Sequence, residues 1–237
     1  MKAYTVLETT EGTGGIVFAK HSVVARREGA CQFGDGDFHS VTCSRTPWAD
    51  RYAEAGDVPI GEMIDMGWHF ECGSCGSRID SDYLQERGWL SEDVIGTQHT
   101  TPYCHAVCEA RYGLARAEVQ RLERRWIRRF RAIVRRRFPD AVLVPGEGLG
   151  GGARAYAGHS GGRLVIQDVD VRFEFPGMKV APAWLSYRRR TPNLSARLPF
   201  SPSKPEWSCC HGDLAAFEAY ARGEPLIATT QLEVLAA

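Results

Sequence analysis

The spacing of apolar positions changes period several times along the chain, and each change marks an expected element. Between residues 3 and 30, "AYTVLET" and "GGIVFAKH" are short runs rich in β-branched and aromatic residues, separated by "TEGTG", whose glycines suit a turn. "SVVARREGA" then takes helical spacing behind Ser22 as a cap. This predicts a strand, strand, helix unit. "CQFGDGDFHSVTCSRTPWADRYAEAGD" follows with Gly-Asp turn signals and Pro47 and is expected to be loop, and "VPIGEMIDMGWHF" leads out of it.

The sharpest periodicity lies in "AEVQRLERRWIRRFRAIVRRRF". At 100 degrees per residue, Val119, Leu122, Trp126, Ile127, Phe130, Ile133 and Val134 fall on one arc, and Arg121, Arg124, Arg125, Arg128, Arg129, Arg131, Arg135 and Arg136 on the other. A long two-faced helix is predicted, its apolar stripe against a sheet or a partner helix. Beyond it, "DAVLVP", "ARAYAGH", "RLVIQDVDVRFEF" and "APAWLSYR" alternate as strands do, and glycine-rich residues 145 to 163 are expected to hold a loop between strands. "PNLSARLPFSPSKPEW" carries four prolines and is expected to be extended loop, while "DLAAFEAYARG" reads as a short helix capped by Asp213 and ended by Gly223. The fold class is therefore α+β. The expected divisions are an N-terminal β-β-α unit and loop (1–56), a zinc-binding module (57–113), a basic amphipathic helix (114–138) and a C-terminal mixed β domain (139–237).

Composition adds that 237 residues with 43% hydrophobic content can bury a real core. No run approaches the ~18 apolar residues of a membrane span, and "MKAYTVLETTEGTGG" lacks the basic and apolar regions of a signal peptide. A cytoplasmic location is expected, where clustered thiols are more often metal ligands than disulfides. The net charge is zero but unevenly placed. Residues 111 to 137 hold eleven Arg and two Glu, so the rest of the chain sums to minus nine.

Four of the eight cysteines stand in two tight pairs. Cys72 and Cys75, with Gly76 after them, have the spacing of a zinc knuckle, in which two sulfurs reach one ion from a tight turn. Cys104 and Cys108 are four residues apart behind Pro102, so they project from one face of a helix start, where the helix dipole favours thiolates. Together they predict a tetrahedral structural Zn2+ site with no open position. His105 is the rival ligand, although its place between the two cysteines puts it on a different helix face.

These residues resemble the treble-clef zinc fingers of the TRASH, MYM and FCS type. An aromatic before the first pair, Cys-x2-Cys-Gly, then an aromatic followed by Cys-x3-Cys, is matched by Phe70, Cys72, Cys75, Gly76, Tyr103, Cys104 and Cys108. The resemblance covers residues 68 to 113 and implies a protein-binding or nucleic-acid-binding scaffold. The 28 residues between the pairs exceed what a compact finger needs and predict an inserted lobe. The overall layout is also similar to accessory proteins encoded by bacteriophages and prophages.

Cys31 with Cys43, and Cys209 and Cys210 with His211, have less regular spacing; free thiols and a second metal site both remain open for them. The arginine face admits three roles: a solvated surface neutralised by acids of the same chain or of a sister subunit in a homo-oligomer, a contact for nucleic acid or an acidic protein, or a helix lying on a membrane surface. An enzyme reading competes with binding. Asp168, Asp170 and Glu174 alternate with apolar residues, so on a strand their carboxylates share one face, as in a Mg2+-dependent nuclease, although Arg172 lies among them and no acid-x-Lys spacing follows. The balance of residues favours a zinc-stabilised binding protein.

Overall fold

The computed structural model describes residues 1–189 and 204–223, and the chain divides into two units, Met1–Leu114 and Ala115–Ala237. The first opens as expected. Strand β1 (Lys2–Glu8) pairs antiparallel with β2 (Gly14–Ala19) and helix α1 (Ser22–Phe33) follows. Ser22 is the first helical residue and not a cap; His21 holds the cap position without a side-chain bond.

The stretch expected to be loop contains a third strand, β3 (Val41–Arg45), which pairs antiparallel with the other edge of β1 to give the order β2-β1-β3. This sheet is covered on both sides. Tyr4, Val6, Val17 and Ala19 pack beneath Ala25 and Ala30 of α1, while Ala3 and Ile16 meet Ala49, Val58 and Met63 on the opposite face. Helix α1 comes so close that a Cβ on Gly29 would stand 2.4 Å from Val6 Cγ1, which is why glycine is needed at the contact.

Helix α2 (Ile60–Asp65) turns Met63 toward the sheet and Ile60 and Ile64 toward a separate cluster around the cysteines. Strands β4 (Phe70–Glu71) and β5 (Arg78–Ile79) form a hairpin, and helix α3 (Ser81–Arg87) follows. Asp80 caps α3, accepting from the Tyr83 N–H at 3.0 Å, and Gly88 ends it in the left-handed region. Leu84, Ile79, Val94 and Tyr103 pack with Cys72 and Cys104, so the insertion supplies much of the apolar core that holds the cysteines.

Helix α4 (Ala106–Arg137) passes from the first unit into the second. There it is followed by β6 (Val142–Leu143), β7 (Ala153–Ser160), β8 (Arg163–Glu174), β9 (Ala183–Arg188), β10 (Glu206–Ser208) and α5 (Leu214–Arg222). These strands pair antiparallel with one another: β9 lies between β8 and β10, and β6 and β7 pair with β8. The four expected strands are β6 to β9. Strand β10 replaces the end of the expected proline-rich loop, and residues 192–203 of that loop lie outside the described residues. The glycine-rich stretch contains β7 itself, with Gly161 and Gly162 at φ +57° and +74° closing the β7–β8 turn.

One face of the sheet is the core. Val169, Val171 and Phe173 of β8 and Leu185 of β9 pack with Ile127, Phe130 and Val134 of α4, so a period of two meets a period of 3.6. Phe138 stacks on Phe173 and Tyr220 at ring-centroid distances of 5.6 and 5.0 Å, fastening the end of α4 to β8 and α5. Asp213 sits at the start of α5 but does not cap it. Its buried carboxylate accepts from the backbone N–H groups of Lys179, Val180 and Ala181 at 2.9, 2.8 and 3.1 Å. Gly223 ends α5 as expected. Among the described residues no helix is long and apolar enough to cross a membrane.

Candidate metal centre and arginine face

The β4–β5 hairpin shapes the first cysteine pair. The Cys72 N–H donates to Ser77 O and the Gly76 N–H to Cys72 O, both at 2.9 Å, and Gly76 takes φ +70°, closing the turn that carries Cys75. The Gly73 N–H donates to Pro102 O at 2.8 Å, which ties this knuckle to the segment before Cys104. Cys104 lies two residues before α4 and Cys108 in its first turn, with the Cys108 N–H on His105 O at 2.9 Å.

The four Sγ atoms lie within 4.8 Å of one another. Cys75 and Cys104 are 3.8 Å apart and Cys104 and Cys108 3.5 Å. Thiolates about 2.3 Å from a tetrahedral zinc ion lie about 3.8 Å from each other, so the cluster fits a four-cysteine metal centre. Without an ion the cluster keeps its thiols largely protonated. Cys104 is pushed up to about 12 by burial and by the neighbouring thiols of Cys108, Cys72 and Cys75. Burial also works against the Cys75 thiolate, but hydrogen bonds from Ser77, Cys72 and Cys104 outweigh it and bring the group down to about 6. Four sulfurs this close cannot all ionise unaided, whereas a bound divalent ion deprotonates its thiols.

His105 is not a fourth-ligand rival. Its ring stacks on Trp89 with centroids 5.0 Å apart and its Nδ1 accepts from the Val107 N–H at 3.3 Å. The remaining cysteines lie outside this cluster. Cys31 is exposed, Cys43 donates to Ser22 O at 3.5 Å, Cys209 packs beside the sheet core and Cys210 donates to Asp213 at 3.5 Å. Among the described residues, Cys72, Cys75, Cys104 and Cys108 are the one group of His, Cys, Asp and Glu placed to hold an ion. Among the described residues, neither Cys31 with Cys43 nor Cys209 and Cys210 with His211 gathers into a second such group.

The two-faced helix is as the periodicity predicts. Ile127, Phe130 and Val134 are buried, and Val119, Leu122, Trp126 and Ile133 pack beside them. Arg121, Arg124, Arg125, Arg128, Arg129, Arg135 and Arg136 are exposed. Arg131 departs from the expected set: it is half-buried, forms an ion pair with Glu147 at 2.7 Å and donates to Gly146 O at 3.3 Å. Arg129 lies over the Trp126 ring at 5.3 Å. Arg121, Arg124, Arg125, Arg128, Arg135 and Arg136 make no ion pair among the described residues.

The carboxylates proposed for a nuclease share the outer face of β8, but the flanking strands bring arginines to them. Arg154 of β7 pairs with Asp170, and Arg188 of β9 pairs with Asp168 at 3.1 Å. Asp168, Asp170 and Glu174 do not form a group placed to hold a metal. What the sequence did not disclose is the rest of this face. Arg154, Arg172, Trp184 and Arg188 line a groove of ≈ 670 Å³, an assembly that depends on the strand registers. The signal was present only as polar positions within alternating strands. Comparison with protein-family models, curated proteins and solved structures finds no match to this chain.

Proposed function

We propose that the chain is a zinc-stabilised nucleic-acid-binding protein, in which a treble-clef-type finger of the TRASH, MYM and FCS kind is a structural scaffold and the exposed face of α4 contacts phosphates. Its layout fits an accessory factor of the phage type. The observation that carries the reading is the set of six exposed arginines without ion-pair partners among the described residues. From Arg121 to Arg136 the helix rises about 22 Å, a substantial part of a DNA turn of about 34 Å. A guanidinium that is neither paired nor packed is available for phosphate, and Arg presents a fork of donors that matches it.

The test is binding of fluorescein-labelled duplex DNA, followed by anisotropy at several salt concentrations. Affinity should fall with a log-log slope of about 0.9 per phosphate neutralised. Changing Arg121, Arg124, Arg128 and Arg135 to Gln should lower that slope by about 3 to 4, as four contacts are lost. Wild-type protein that fails to retain DNA or RNA at low salt would overturn the reading and point to an acidic protein surface.

A further inference from the structure

The outer face of the C-terminal sheet, turned away from α4, combines features that belong to different strands. Tyr156 of β7 lies opposite Asp168, which lies opposite Arg188; along the next row Arg154, Asp170 and Ser186 align, and further along Arg172 faces Trp184. Tyr156 is 65% exposed, and the Trp184 ring has no aromatic or cationic neighbour stacked on it among the described residues. Trp184 is half-buried and Tyr156 exposed, and aromatics whose ring faces carry no stacked partner on a sheet covered otherwise by charges can serve as stacking platforms.

The charges suit the same ligand. Asp170 and Asp168 are each held by an arginine, which fixes the guanidiniums of Arg154 and Arg188 beside the aromatics. Arg172 makes no ion pair among the described residues. Arg189 and Lys204 add to the rim, so among the described residues the groove is lined by five cations and the acids Asp168, Asp170 and Glu206. The balance of these described residues is cationic even with all three acids ionised.

From these observations we infer that the outer face of the β7–β8–β9 sheet binds single-stranded nucleic acid, stacking bases on Trp184 and Tyr156 and holding backbone phosphates with Arg172 and its neighbours. The inference rests on the reading that the partner is nucleic acid, but it uses a surface on the opposite side of the sheet from α4. With strands about 4.8 Å apart and residues about 3.3 Å apart along them, Tyr156 and Trp184 are separated by roughly 16 Å. One base cannot touch both, so the ligand is a strand of several nucleotides. A duplex keeps its base faces stacked internally and offers nothing to these rings, which makes the face selective for single strands.

The experiment compares a fluorescein-labelled twelve-nucleotide thymidine strand with a duplex of the same length, using the full chain. Trp184→Ala with Tyr156→Ala should weaken the single strand by about tenfold or more for each platform lost and leave duplex affinity unchanged. Trp184→Phe, which keeps a stacking surface, should retain most of the affinity, and unchanged melting of all variants separates stacking from unfolding. Equal single-strand affinity in wild type and the double alanine variant overturns the inference while the arginine face stands. Single-strand binding that is lost only with the α4 arginines overturns it as well. Conversely, single-strand binding that depends on Trp184 in a protein that does not bind duplex supports the inference and overturns the phosphate role of α4.

Discussion

The two units solve the problem of a stable interior differently. In Met1–Leu114 the buried apolar residues are divided among three clusters, the largest with eight members, two of which are Cys72 and Cys104. Among the described residues of Ala115–Ala237 they join in one cluster of fourteen that includes Phe130, Phe138 and Phe173. Charge divides along the same line. The first unit has nine basic and seventeen acidic residues and the second twenty and twelve, giving −8 and +8. The first unit thus has small clusters, one of them built around four cysteines that could hold a metal ion, whereas the described residues of the second share one continuous core.

If the four cysteines hold zinc as proposed, disrupting them should produce the largest effect. Structural zinc contributes an apparent ~10–16 kcal/mol in finger peptides, as much as the entire stability of a domain at about 5–15 kcal/mol. Cys72→Ser, Cys108→Ser or chelation should therefore abolish hydrogen-exchange protection around Cys72, Ile79 and Leu84 while β8 and β9 stay protected. Elemental analysis should find about one zinc per chain, the number a single four-cysteine site accepts. Protein without metal and with undiminished protection would remove the asymmetry between the units.

Phe130→Ala is the counterpart in the second unit. The ring is 1% exposed between α4 and the sheet, and its loss should cost about 3–5 kcal/mol through lost burial and the cavity left behind. Denaturation should show the second unit weakened with zinc content intact. Equal loss of zinc would mean that the two interiors do not behave separately. Next in size is Gly29→Ala in the first unit, where the added methyl meets Val6 and the helix must lift or the valine turn, at about 1–3 kcal/mol. Val6→Ala in the same chain should recover part of that loss, since it removes the opposing methyls.

Much of this arrangement was legible in the sequence where one residue's meaning is local. The spacing of Cys72 and Cys75, the four-residue step from Cys104 to Cys108, and the stripe from Val119 to Val134 each depend on turn or helix geometry and needed no tertiary information. Strand β3 was not legible because "VTCSR" is short and polar and gains its conformation from the unpaired edge of β1. Asp213 had the form of a helix cap, yet a loop more than thirty residues earlier in the chain offers its carboxylate three N–H groups. The ion pairs of Asp168 and Asp170 were hidden for the same reason. Their arginine partners, Arg188 and Arg154, are neighbours only through strand pairing.

The smallest effect separates structural arginines from free ones on a single helix. Arg131 is paired with Glu147 and partly covered, with side-chain exposures of 23% and 45% for the two partners. Ion pairs of this kind contribute about 0–1 kcal/mol. Arg131→Gln should lower stability within that range, and a double-mutant cycle with Glu147→Gln should return a coupling of the same size. Arg128, one turn away in the sequence and exposed without an ion-pair partner among the described residues, should change stability by less than about 0.5 kcal/mol when replaced by Gln, as surface substitutions generally do. Denaturant midpoints of the single and double variants would measure the difference. If Arg128→Gln were as costly as Arg131→Gln, the arginine face would be part of what holds the second unit together, and its charge could not be assigned to a partner; if only Arg131 registers, the remaining guanidiniums are a surface maintained for something other than the fold.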